Sequence, residues 1–256
     1  MFRDVLFGCV ALVAGSGVVM AAAQDDAKAA TQKLADSQNY SWKTTTQAGG
    51  GGGGGRGAGG PSEGKIDKES GVMILTMTRG DNEIQVVKKG DKAVIKTPDN
   101  GWKTPAELAQ DNNGGQPGPG RFMGRMVQGM QPPAKAAEEL VADVKELTPS
   151  SSSDGWSGPL SEEGAKKAMA FGGGRRRGGA DNANANANGP QISNAKGDVK
   201  FYTKDGVLAG YELHVTGTVD FNGNTRDIDR TTTVQISDVG STKVEVPDEA
   251  KKKLQE

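Results

Sequence analysis

The chain has 256 residues, with 31 Lys and Arg against 32 Asp and Glu and a formal net charge of −1. A balance so near neutral gives no overall field to draw in nucleic acid or an anionic membrane surface. The one cysteine, Cys9, lies in the N-terminal apolar run. Once that run is removed, disulfides, thiolate metal sites and a cysteine nucleophile are excluded, and the domain has to rely on an apolar core.

Arg3, the apolar stretch Val5–Met20 and the small residues Ala21-Ala22-Ala23 read as a secretory signal peptide over residues 1–23, cleaved before Gln24. The alternative is a membrane anchor, for which a run of about 20 apolar residues would be needed. Leu6-Phe7-Gly8-Cys9 has the look of a lipoprotein box but comes too early in the run. The expected location is therefore periplasmic or otherwise exported, with no membrane-spanning segment after cleavage. Residues 24–256 are expected to form one domain interrupted by low-complexity loops at 48–60, 111–131 and 172–190. These are rich in Gly, Pro and Asn and bury too little apolar surface to order themselves, so they are read as disordered.

Between the loops, a first helix is expected over Asp25–Ser37. A strand follows over Tyr40–Thr46, with Tyr40, Trp42 and Thr44 on one face. Lys65–Asp67 reads as a short strand. Val72–Thr78 and Glu83–Lys89 are strands joined through Arg79-Gly80-Asp81-Asn82, and Gly90-Asp91 turns the chain into Lys92–Lys96. Asn100-Gly101-Trp102 reads as a further turn. Thr104-Pro105-Ala106-Glu107 is a capping box with Pro at the first helical position. Pro132–Glu146 is the strongest helix, with Ala137, Leu140, Val141 and Val144 at helical spacing. Asp154–Leu160 is a turn with a short extended piece, and Ser161 caps a helix running to about Ala170.

From Asp198 to Pro247 the sequence reads as a meander of four antiparallel strands. Val207, Ala209, Tyr211, Leu213, Val215, Gly217 and Val219 alternate with a polar set that includes Glu212, His214, Thr216 and Thr218. That period of two marks a sheet with one dry and one wet face. Lys204-Asp205-Gly206 and Asn222-Gly223 are its turns. Ile228, Val234 and Ile236 share a face of the third strand, and Val244 and Val246 share one on the fourth. Pro247 starts a short terminal helix. The fold class expected is α+β, a curved antiparallel sheet of half-barrel form covered by a few helices.

Chemistry is sparse. His214 is the only histidine and falls on the polar face, where it reads as a surface or rim residue. No partner pattern points to a triad or a metal site. Asp220-Phe221-Asn222-Gly223-Asn224 starts like a calcium loop but carries Thr225 and Thr231 where that loop needs Gly and Glu. The Gly runs lack the strand-turn-helix context and the Gly-Lys-Ser/Thr that cradle phosphate. Arg175-Arg176-Arg177, with Arg56, looks like Gly-Arg segments that bind RNA, but export would separate such a chain from RNA. No catalytic residue, metal or cofactor is expected, and the chain does not read as an enzyme.

Asn39-Tyr40-Ser41-Trp42 after the first helix, Gly101-Trp102 after a hairpin, and the passage Thr232–Pro247 together resemble the LolA/LolB-like bacterial lipoprotein-carrier superfamily, which includes mycobacterial lipid-carrying lipoproteins. The resemblance implies a half-open barrel whose mouth is closed by helices and whose hollow takes acyl chains. On that basis Tyr40, Trp42, Tyr211, Leu213 and Val215 are the expected ligand-binding residues. The expected partners are lipid or lipoprotein acyl chains, or envelope proteins, and not nucleic acid. Read from parity alone, the same side chains are by default an ordinary core. The alternative function is thus a structural or protein-interaction module of the envelope with a filled core.

Overall fold

The computed structural model describes residues 16–49, 60–98, 100–110, 123–124, 127, 129–150, 154–170, 191–221 and 223–255. Most of the N-terminal apolar run, the Gly run around Arg56, most of the 111–131 stretch and the segment holding Arg175–Arg177 lie outside them.

Helix α1 runs over Ser16–Asp36, continuous through the Ala21–Ala23 stretch, and Ala23 is buried against the main core. Strands β1 (Asn39–Ala48), β2 (Ser62–Asp67), β3 (Val72–Arg79), β4 (Asn82–Lys89), β5 (Lys92–Thr97) and β6 (Asn100–Lys103) follow. Asn100-Gly101-Trp102, expected as a turn, instead forms the edge strand β6, with Trp102 opposite Lys96. Trp102 is buried there, which pulls the segment onto the sheet. Helix α2 (Pro105–Gln110) begins at the expected capping box. The Thr104 hydroxyl accepts from the Glu107 amide at 3.2 Å, and the Glu107 carboxylate accepts from the Thr104 amide at 2.7 Å. Two of the orphan donors of the first turn are thereby satisfied.

Helix α3 (Pro133–Asp143), the short strands β7 (Thr148–Pro149) and β8 (Gly155–Pro159), and helix α4 (Glu162–Ala170) come next. Ser161 caps α4 by accepting from the Gly164 amide at 3.0 Å. Met123, Val127 and Met130, from a stretch expected as loop, pack on Val86, Ile95 and Leu108. Three bulky apolar side chains at a spacing of three or four residues are the physical reason this part of the stretch orders. The long strands β9 (Gln191–Lys204), β10 (Val207–Phe221) and β11 (Asn224–Ser237) close the sheet, and helix α5 (Asp248–Gln255) ends the described chain. Asp205 and Gly206 turn between β9 and β10 with φ of 54° and 72°, the left-handed pair that a tight hairpin demands.

All eleven strands join one curved antiparallel sheet, not closed into a barrel, in the order β6-β5-β4-β3-β2-β1-β11-β10-β9-β8-β7. The fold is thus the α+β curved sheet expected. The N-terminal hairpins and the C-terminal meander meet where β1 pairs with β11, from Ser41 opposite Ser237 to Ala48 opposite Arg230. The fourth meander strand does not form. Residues 238–247 carry no sheet pairing, because the free edge of β11 is taken by β1. Val244 and Val246 instead pack with α5.

The main core lies between one face of the sheet and the helices α1, α3 and α4. Across β3–β5 the opposite face is covered too. Val72, Val87 and Val94 pack there with Trp102 and Ala250 of α5, while Val86 and Ile95 point to the helix side. A wet face therefore remains on β9–β11 and on β1–β2, where Lys43, Glu63 and Lys65 are exposed. Sheets buried on both faces carry adjacent apolar residues rather than alternation, as in Val86-Val87 and Val94-Ile95.

Candidate functional site

Tyr40, Trp42, Tyr211, Leu213 and Val215 all lie in the main core, on the sheet face beneath α1, α3 and α4, between 0% and 9% exposed. Strand periodicity puts Tyr40 and Trp42 on that face of β1 and Tyr211, Leu213 and Val215 on that face of β10. Tyr40 and Trp42 sit with ring centroids 5.8 Å apart and planes tilted by 52°. Phe201 meets Tyr211 at 6.4 Å and 54°. Tilted pairs of this kind add to the burial of the rings themselves. Trp42 lies flat over Gly64, its partner on β2. Residue-level reasoning missed Phe201, although its spacing from Val199 and Ala195 signals the same face.

Burial pushes the Tyr40 phenol up to about 12, against a hydrogen bond with the Ala134 backbone and with the Glu138 charge adding to the rise. Burial also raises Tyr211, and the Tyr40 phenol adds to it. Both phenols therefore stay neutral near pH 7, which suits an apolar floor.

The helices that cover this floor contribute small side chains. Ala27 comes from α1, Ala134 and Ala137 from α3, and Ala165 and Ala168 from α4. Leu34, Leu140, Val141 and Met169 are their larger contacts. Along the sheet the floor changes character. Beyond Trp42 and Val234 the same face carries Thr44, Thr46 and Thr232, then Arg230, which lies opposite Val215 on one side and Ala48 on the other.

Arg230 is half-buried, and its Nη2 donates to the Ala168 carbonyl of the last turn of α4 at 2.9 Å. Burial pushes its guanidinium down from its ordinary value, though an arginine stays charged throughout the physiological range. The sequence reading grouped Ile228, Val234 and Ile236 and passed over Arg230 and Thr232 between them. A charged residue at a dry-face position was the available signal.

The wet face of β9–β11 holds a separate, polar cleft of about 300 Å³ lined by Asp198, Lys200, Glu212, His214 and Thr231. Lys200 Nζ lies 3.0 Å from the Glu212 carboxylate, and His214 Nε2 lies 2.9 Å from Asp229 Oδ1. His214 is thus on the polar face expected for it. Among the described residues no set of three His, Cys, Asp or Glu side chains is placed to hold a metal ion.

The chain is similar to the crystal structure of the lipoprotein LppX from Mycobacterium tuberculosis, with a TM-score of 0.44 and 10% identity over 89% of this chain and 99% of that one. It is similar to LprF from Mycobacterium bovis at a TM-score of 0.44 and 10% identity, over 90% and 98% of the two chains. A DUF1329 family protein from Desulfovibrio piger overlaps with a TM-score of 0.32 and 9% identity, over 90% and 95%. Two of the three are mycobacterial proteins, one of them a lipoprotein by name. Likeness of this degree does not transfer a function from one protein to another. No family model and no curated protein matches the chain.

Proposed function

We propose that the protein is a non-catalytic binding protein of the cell envelope that holds an apolar or lipidated ligand on the concave face of its sheet. One observation carries the reading. A broad floor of large side chains (Tyr40, Trp42, Phe201, Tyr211, Leu213, Val215) is closed by helices whose contacts are mostly alanine. An alanine buries far less apolar area than a leucine, so separating such a cover from its floor forfeits less of the roughly 25 cal/mol per Å² of burial. In this reading an acyl chain enters between floor and cover and replaces the helix contacts. Export by the N-terminal segment, cleaved before Gln24, places the protein where lipids and lipoproteins are handled.

The second reading, an interaction module with a filled core, is favoured by the closeness of the packing, in which Tyr40 and Phe201 are each 1% exposed. One experiment separates the two. Fatty acids of increasing length are titrated into a chain carrying Trp102→Phe and Trp156→Phe, with Trp42 emission as the signal. Each buried methylene is worth about 0.8 kcal/mol, so affinity should climb with length and then level off. A flat response, together with no lipid in an organic extract of the purified protein, establishes the filled core.

A further inference from the structure

Arg230 has no role in a floor built only for hydrocarbon. Its position follows from register. On β11 it alternates with Asp229 and Thr231 and shares a face with Ile228, Thr232 and Val234, whose apolar members pack on the main core. The neighbouring acids point the other way. Asp229 meets His214, and Asp227 accepts from Thr218 on the opposite face. Among the described residues, no carboxylate pairs with Arg230, and its one hydrogen-bond partner is the Ala168 carbonyl. A guanidinium carries five N–H donors in a planar fork. A positive group drawn into a protein without a counter-charge is costly. The single carbonyl at the end of α4 offsets part of that cost and leaves most of the donors without a partner among the described residues.

The surroundings give the vacant donors a direction. From Arg230 the floor passes Thr232, Thr46 and Leu213 to Val234, Tyr211 and Trp42. Arg230 and Val234 are four residue steps apart, about 13 Å at a rise of roughly 3.3 Å per residue. The face therefore reads aromatic at Tyr211 and Trp42 and polar and cationic at Thr232 and Arg230, with Ile228 and Val219 apolar beyond them. We infer that Arg230 is the head-group subsite of this floor and that the ligand is an anionic amphiphile, a carboxylate or phosphate head on an acyl or alkyl tail. The fork of Arg230 receives two oxygens of the head, and the tail lies over Leu213 toward Tyr211 and Trp42. This inference rests on the lipid-binding reading above and narrows it to charged lipids.

The test compares matched probes on the full chain by titration calorimetry at pH 8, each below its micelle concentration. The probes are hexadecanoate, hexadecyl phosphate, hexadecanol and inorganic phosphate. A charge-assisted pair of hydrogen bonds is worth about ten- to hundredfold in affinity. Wild-type protein should therefore prefer hexadecanoate and hexadecyl phosphate to hexadecanol by that factor. Arg230→Gln should erase the preference while hexadecanol binding stays within about twofold, and Arg230→Lys should restore part of it. Arg226→Gln, which removes the same charge from an exposed site on the strand, should leave the preference intact. Equal binding of hexadecanoate and hexadecanol to wild type overturns the head-group subsite while sparing the lipid-binding reading. Binding of none of the long-chain probes overturns both. Inorganic phosphate binding as tightly as hexadecyl phosphate overturns the amphiphile in favour of a free-anion site. The wild-type comparison stands by itself if Arg230→Gln does not fold.

Discussion

Gly64 sits directly beneath the Trp42 indole across the β1–β2 pair, and a methyl group at residue 64 would collide with the ring atoms. The neighbour is a rigid, buried aromatic that cannot swing aside as a flexible chain end would. Gly64→Ala should therefore cost near the top of the overpacking range, about 3 kcal/mol, even though Ala is otherwise the better strand residue by about 0.5–1 kcal/mol. Trp42→Ala, at a side chain 6% exposed, should cost about 4 kcal/mol through lost burial and a cavity. If the two effects share one clash, the double variant should be no less stable than Trp42→Ala alone, giving a coupling of about 3 kcal/mol. Urea midpoints measure this, provided the slope is unchanged among variants. Trp42→Leu serves in place of Trp42→Ala if the latter unfolds. Additivity within about 0.5 kcal/mol would mean that the indole does not lie over Gly64, and the orientation of the aromatic floor would have to be abandoned.

Local patterns reached the elements well and the assembly less well. The capping box at Thr104, the Ser161 cap and the Asp205-Gly206 turn are short-range physics, satisfied within a few residues, and they form as read. The odd-numbered face of β10 holds from Tyr211 through Val215 to Val219 and loses its alternation before Tyr211. A register shift between Leu208 and Gly210 moves Leu208 to the interior, 1% exposed. A bulge adds one residue and reverses parity, which alternation counted from either side cannot register. Val244 and Val246 alternate as a strand does, yet the place they would take beside β11 belongs to β1, almost two hundred residues earlier. No window of local sequence contains that competition. The expected site residues do meet on one face. The grading of that face from aromatic to cationic emerges only when β1, β10 and β11 lie side by side.

Three further outcomes follow from named groups. Glu107 is held down to about 2, first by its hydrogen bond with Lys253 of α5 at 2.7 Å and then by those with Thr104. Its folded value is depressed, so its contribution is complete above the ordinary carboxylate range and is lost as pH falls toward 2. Thermal unfolding of Glu107→Gln against wild type should differ at pH 7 and converge in acid, and a difference that persists at pH 2 would refute the clasp. Tyr40 is raised to about 12, so the stabilisation linked to its neutral form is complete below pH 10 and disappears as pH climbs through 12. Tyr40→Phe should flatten the alkaline loss of stability in that window, and an unchanged profile would mean that the phenol is not buried. The third outcome tests the sidedness of β10. Leu213 is 9% exposed and packs in the main core, so Leu213→Asp forfeits its burial and places a carboxylate among apolar side chains, partly offset by Arg230, which lies diagonally across on β11. The loss should be about 3 kcal/mol or more. Thr216 lies on the other face, opposite Asp229 on β11 and Lys196 on β9. A carboxylate at residue 216 meets one like and one opposite charge in water-facing positions, and such cross-strand terms are each below about 1 kcal/mol. Thr216→Asp should therefore stay within about 1 kcal/mol of wild type. Salt should shift the Thr216→Asp variant slightly and leave the Leu213→Asp deficit in place, because only exposed charges are screened. Comparable losses for the two variants would mean that the dry and wet faces of β10 are wrongly assigned, and the concave floor would then have no basis.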